Sequence, residues 1–307
     1  MVTVHNFANG LLNPVLAYVV SCLGAFLGLR CVTRARAYTG FARARWLCLA
    51  AVSIGATGIW TMHFIAMLGY AIPGQQIFYN VPLTIVSMLI AIAVVGVGLF
   101  IVGFGDGGPR PLLAGGVIVG LGVAAMHYMG MAAMIMPDSV HYNVPLFILS
   151  VVIAIVAGSA ALWIGTWVRG TRATVGAALV MGVAVTGMHY TGMAAMHVSE
   201  GSMSAMSGSG SQSFLVPLLA GITIVTFALT LVISLAPTED EIHQDARLQE
   251  RIAAGLAARE PAGQPPRDPR PQFPEPASPP APPLPTRRPS AGALAGRRNR
   301  TPPAPGR

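Results

Sequence analysis

From about Leu11 to Ala236 the chain is a succession of apolar runs, each about 20 residues long and separated by short polar segments. A soluble amphipathic helix keeps one polar face, whereas these runs are apolar all round and long enough to cross a ~30 Å hydrocarbon core. Seven runs are predicted to be helical: Pro14–Val32, Trp46–Tyr70, Pro82–Gly103, Pro111–Met136, Pro145–Val168, Thr174–His197 and Phe214–Ala236. The first has no basic residue before it and no small-residue cleavage site after it, so it reads as a membrane helix and not as a cleaved leader. The pattern breaks at Pro237. Residues 237–260 are polar, with Ile242, Leu248, Ile252 and Leu256 at helical spacing behind the acidic start Glu239–Asp240–Glu241, which predicts a short cytoplasmic helix. Residues 261–307 are rich in Pro, Ala and Arg, hold too few apolar residues to build a core, and are predicted to be disordered. The expected fold is therefore an all-α membrane domain of seven transmembrane helices over 11–236, followed by these two cytoplasmic segments.

An internal repeat organises the membrane domain. ATGIWTMHFIAMLGY ending at Tyr70, GLGVAAMHYMGMAAM ending at Met134 and GVAVTGMHYTGMAAM ending at Met196 align without gaps. Each carries Met-His, an aromatic residue, and a further Met four residues after the histidine. Each is followed by a second landmark: YNVPL at Tyr79–Leu83, YNVPL at Tyr142–Leu146 and FLVPL at Phe214–Leu218. The unit is a pair of helices, and three pairs plus one leading helix make seven. His63, His127 and His189 then sit near the same end of three parallel helices, in one shared layer. Whether the rings meet is not written in the spacing.

Helical periodicity places His63–Met67–Tyr70, His127–Met131–Met134 and His189–Met193–Met196 on equivalent faces. Met62, Met126 and Met188 lie on the adjoining side with Ala66, Gly130 and Gly192, small residues expected to let another helix approach closely. Phe64, Tyr128 and Tyr190 fit aromatics at a membrane–water interface. Gly24–Gly28 and Gly116–Gly120 are GxxxG spacings that suit helix packing.

Charge sets the expected orientation. Within residues 1–236 the basic residues are Arg30, Arg34, Arg36, Arg43, Arg45, Arg110, Arg169 and Arg172, all in alternate loops. The positive-inside rule makes those loops cytoplasmic, which puts the N-terminus and the histidine layer outside and the C-terminus in the cytoplasm of a multi-pass inner-membrane protein. With the Arg residues so placed, the formal charge of +8 argues for a bilayer partner and not for nucleic acid. The chain contains no lysine, which excludes a retinal Schiff base. Cys22, Cys31 and Cys48 form no CxxC pair and read as packing residues.

The histidines are the ionisable side chains that fall well inside the expected spans, and such groups are costly unless they serve a purpose. Imidazole with thioether is a soft to borderline ligand set that suits copper, Cu(I) above all, and not Mg or Ca. Met203 and Met206 beside His197 could gather metal from outside. No constellation of nucleophile, base and carboxylate supports an enzyme. Haem would need two facing histidines, which three equivalent ones fit less well. A membrane metal transporter or metal-delivery protein using the same ligands is the alternative function. It would need polar groups continuing to the cytoplasmic half, where Ser53, Thr57 and Thr186 give only a sparse thread.

The repeated signature, most complete at Met188–Thr191, resembles the MHYT domain of bacterial membrane proteins over about Leu11–Ala236. That resemblance implies a signalling sensor of oxygen, carbon monoxide or nitric oxide through bound copper, working through an output domain. No GGDEF, EAL or kinase-like segment is read in the chain, so a separate cytoplasmic partner is expected. The ligands that the resemblance implies are Met62, His63, Met67, Met126, His127, Met131, Met188, His189 and Met193. The first copy reads Met62-His63-Phe64-Ile65, so a role for the aromatic hydroxyl does not extend to it.

Overall fold

The computed structural model describes residues 7–73, 75–105, 108–136, 139–199, 209–235 and 247–254. Six helices are long and apolar enough to cross a membrane: α1 (Leu12–Arg36), α2 (Gly40–Met67), α3 (Val81–Phe104), α4 (Pro109–Ala132), α5 (Val144–Trp167) and α6 (Thr171–Ala195). A seventh, α7, runs from Ser211 to Leu235 and includes the shorter apolar stretch Leu215–Thr226. Val97, Leu121, Val156 and Val180 on α3 to α6 are exposed on the bundle surface, as expected of side chains that face acyl chains.

The second landmark of each repeat is a helix start. In the first two copies Asn80 and Asn143 cap their helices, their side-chain oxygens accepting from the Leu83 and Leu146 amides at 3.0 and 3.2 Å. Pro82 and Pro145 occupy the first turn, where no amide hydrogen is needed. The third copy has Leu215 in place of asparagine. Its helix begins upstream at Ser211, and Pro217 falls inside it.

Glycines set the close crossings, as the GxxxG spacings suggest. A Cβ on Gly24 would lie 2.3 Å from the Gly58 backbone, so α1 and α2 meet there. One on Gly120 would lie 2.3 Å from Ile155 on α5. The first repeat departs from the other two, because Val52–Thr61 within α2 is π-helical. Within it the Thr61 hydroxyl donates to Ala56 O at 2.9 Å, and the Trp60 indole donates to Ser87 Oγ at 3.0 Å on α3. Wide turns of this kind are rare and often lie at functional sites. Here the turn leads straight into Met62 and His63.

The spans expected to continue to Tyr70, Met136 and His197 end earlier, at Met67, Ala132 and Ala195. The chain beyond them forms short strands. Phe78–Tyr79 (β1) pairs with Met134–Ile135 (β2) and with Ser209–Gly210 (β5). Ser139–Tyr142 (β3) pairs with Met196–Ser199 (β4). Tyr70, Met134 and Met196 are therefore buried in this cap and do not continue the histidine faces. The helix ends stop short because the ladders supply the backbone partners that a further helical turn would have supplied. Burial, with Tyr70 alongside, holds the Tyr79 hydroxyl well above the ordinary phenol range.

Contacts divide the chain into Met1–Leu248 and Gln249–Arg307. Residues 247–254 are helical, with Leu248 and Ile252 exposed. The disorder expected of 261–307 lies outside the described residues, as does the loop holding Met203 and Met206.

Candidate metal centre

Three parallel helices deliver one histidine each. His63 near the end of α2, His127 near the end of α4 and His189 near the end of α6 are 1%, 0% and 1% exposed. Their ring centroids are 4.9, 4.9 and 5.1 Å apart, with every pair close to perpendicular. The Nδ1 atoms point inward: His63 Nδ1 is 2.9 Å from His189 Nδ1 and 3.2 Å from His127 Nδ1. The shared layer expected from the repeat is thus a point of convergence.

What holds the rings is steric. A Cβ on Gly130 would sit 2.3 Å from His63 Nε2, and one on Gly192 2.2 Å from His127 Nε2. Each of these rings lies in the space left by the missing side chain of the next repeat. The small residues three positions after each histidine were expected to admit a neighbouring helix. In the second and third copies they admit the neighbouring imidazole. The aromatics buttress the rings from the other side: Phe64, Tyr128 and Tyr190 pack edge-on to their own histidines at 4.8, 4.9 and 5.0 Å. Phe64 is fully buried, so the interface reading fails for it. Tyr128 bonds Ser150 on α5 at 2.5 Å, and Tyr190 stacks with Phe7 at 5.5 Å.

The arrangement is electrostatically incomplete. A neutral imidazole has one donor nitrogen and one acceptor nitrogen. If the Nδ1 atoms are the acceptors, three lone pairs face one another at about hydrogen-bond distance. The Nε2 atoms of all three residues are buried and have no hydrogen-bond partner. A cation among the Nδ1 atoms satisfies all three lone pairs at once. An ion bonded to each at about 2.0 Å would hold them about 3.5 Å apart, so the rings need to part by only a few tenths of an ångström. The three residues fit a metal ion, and they form the one such histidine, cysteine and acid group found among the described residues. The usual carboxylate or carbonyl on the far ring nitrogen is missing, and the glycine notches do its orienting work.

The other residues implied as ligands fall into two sets. Met62, Met126 and Met188, next to the histidines, and Met67, Met131 and Met193, one turn beyond them, are all buried. His141 and His197, outside the repeat frame, face each other across the β3–β4 ladder and are exposed. No spacing rule linked them, because the ladder joins two different repeats. The polar thread does not run down from the site. Ser53 donates back to Leu49 O on its own helix at 2.8 Å, and Thr57 bonds Thr226 of α7 at 2.6 Å.

Comparison with known proteins finds the same threefold repeat. The family model described as "MHYT: Bacterial signalling protein N terminal repeat" matches three times, over residues 57–116, 120–178 and 182–243. The chain is 37% identical over 249 residues to the bifunctional diguanylate cyclase/cyclic di-GMP phosphodiesterase MucR of Pseudomonas aeruginosa, covering 78% of this chain and 35% of that protein. It is 37% identical over 190 residues to the cyclic di-GMP phosphodiesterase NbdA of the same organism, covering 60% and 24%. It is 30% identical over 194 residues to the signalling protein YkoW of Bacillus subtilis, covering 59% and 23%. The chain spans about a third or less of the length of these relatives. No solved structure matches it.

Proposed function

This chain belongs to the MHYT family of bacterial signalling proteins, and from that premise we propose that it is a membrane sensor whose three-histidine centre holds copper and answers to a diatomic gas or to the metal itself. The observation that carries this reading is the convergence of three buried Nδ1 atoms on one another. When bound, copper would supply an exchangeable coordination position, with the thioethers of Met67, Met131 and Met193 one turn away. The chain's own part is to hold the rings in register and keep water from them, which the glycine notches and edge-on aromatics do. MucR and NbdA act on cyclic di-GMP by name, and a cytoplasmic output of that class, fused or separate, is the expected reader of the signal.

Orientation follows from charge. Arg34, Arg36, Arg43, Arg110 and Arg169 cluster at the helix ends opposite the histidines, which supports a cytoplasmic arginine end, an external histidine end, and a membrane crossing by α7. The transport alternative needs a polar path. Below the histidines the bundle axis is instead a cavity of about 80 Å³ walled mainly by aliphatic residues such as Leu29, Val95, Val119 and Ala154, with the thioethers of Met181 and Met188 as the side chains in its lining that could ligate a metal ion, and no polar group continues the path.

The test is metal analysis and an optical spectrum of the purified, detergent-solubilised chain. Copper near one ion per chain, without a haem band, is expected. His127→Asn should lose most of it. Met131→Leu, which keeps the volume and removes the sulfur, should lose less, and more for Cu(I) than for Cu(II). Unchanged copper in His127→Asn and in a His63/His189 double variant, at normal expression, would leave the histidines as packing residues.

A further inference from the structure

The axial cavity does not end in apolar wall. Going away from the histidines it meets a second cavity of about 170 Å³, and Val32, Leu99, Leu162 and Gly165 line both. The second cavity is walled by three guanidinium-bearing residues, Arg36, Arg43 and Arg169. A third cavity of about 320 Å³ shares Arg169 and Thr166 with it and continues past Trp167 and Pro111 at the helix ends.

The three arginines are not equivalent. Arg43 is spent on structure: its Nε donates to Tyr38 O at 2.9 Å and its NH1 to Gly103 O at 2.9 Å, tying the α1–α2 turn to the end of α3. Arg36 makes one long bond, NH1 to Val168 O at 3.3 Å. Its NH2 is buried without a hydrogen-bond partner. No carboxylate lies among the described residues of Met1–Leu248. A buried guanidinium nitrogen without a partner is costly, and beside two further positive charges an anion is the group that would satisfy it best.

The level of the site narrows the choice of anion. Trp163 and Trp167, exposed on the same end of α5, mark the zone where indoles settle between hydrocarbon and water. A basic pocket between helices at that depth meets phosphate headgroups, while the apolar chamber above it admits hydrocarbon and repels water. We propose that the arginine cavity binds the phosphate of an anionic phospholipid, held by Arg36 and Arg169, with part of an acyl chain in the axial cavity. The bound lipid would then fill the space directly beneath the three histidines.

Native mass spectrometry of the full chain in detergent tests this, with phosphatidylglycerol, phosphatidylcholine or inorganic phosphate added. Phosphatidylglycerol adducts should exceed phosphatidylcholine adducts about tenfold, and Arg36→Gln/Arg169→Gln should bring the two to parity. Arg110→Gln/Arg172→Gln, which removes equal charge from exposed positions, should leave the preference intact. Gly165→Leu is an independent blockade. A Cβ there finds only Val32 Cγ1 at 4.0 Å, so a side chain can start at this position, in the lining of both cavities, and should also abolish the preference. Equal loss in the Arg110/Arg172 variant would reduce the effect to surface charge and overturn the site. Displacement of the lipid by millimolar inorganic phosphate would assign the cavity to a free anion and overturn the lipid. Both outcomes are independent of whether copper binds.

Discussion

At the scale of single residues, the centre depends on what is missing as much as on what is present. Gly130 and Gly192 are notches for His63 and His127, so one methyl group should act as strongly as the loss of a ligand. Gly192→Ala would place a carbon 2.2 Å from His127 Nε2. The ring must then leave its position, at a cost of about 1–3 kcal/mol, and copper content should fall. Gly187→Ala, five residues earlier on the same helix, meets nothing within 4 Å and should be silent. Thermal unfolding and metal content of the two variants give the comparison; a silent Gly192→Ala would mean that the ring is not held where the structure puts it. The sequence displayed the small residue after every histidine. It could not show what fills the space, because that atom belongs to another repeat more than 60 residues away.

At the scale of elements, the repeated YNVPL segment proves to be a device for starting helices on the histidine side of the bundle. Its asparagine satisfies an amide that has no partner within the helix, and its proline asks for none. Asn143→Ala should therefore cost about 1 kcal/mol, within the range for lost caps of 0.5–2. The same change at Asn80 should cost a similar amount, and Asn143→Asp, which keeps an acceptor oxygen, should restore most of the loss. Unfolding in a mixed-detergent series checks this, and equal effects of Asn143→Ala and Asn143→Asp would show that the asparagine does not work as a cap. Repeat, helix pairing and cap were legible in the sequence, since each is local. The π-helical Val52–Thr61 was not. Its wide turns coincide with the α2–α3 contact made by Trp60, Thr84 and Ser87, and nothing within the segment announces it. The early ends of α2, α4 and α6 were hidden for the same reason, because β1 to β5 pair across repeats.

At the scale of the molecule, the two ends of the bundle are chemically opposite, with buried histidines at one and arginines at the other. Reporter fusions at Gly107 should report a cytoplasmic location, and fusions at Gln75 or Ser207 an external one. A cytoplasmic result at Ser207 would invert the sensor and move the histidine layer to the wrong side of the membrane. The sequence by itself determined the membrane class, the threefold repeat, the parallel course of the three histidine helices and the segregation of charge. Each of these follows from hydrophobicity and spacing along a single strand of chain, which bilayer thickness and helical pitch translate directly into position. The tertiary structure alone decided that the three imidazoles meet through Nδ1, that glycines of neighbouring repeats seat two of them, and that the axis beneath is hollow down to Arg36. Those are distances between helices, set by which side chains are absent at each crossing, and no pattern along one helix encodes them.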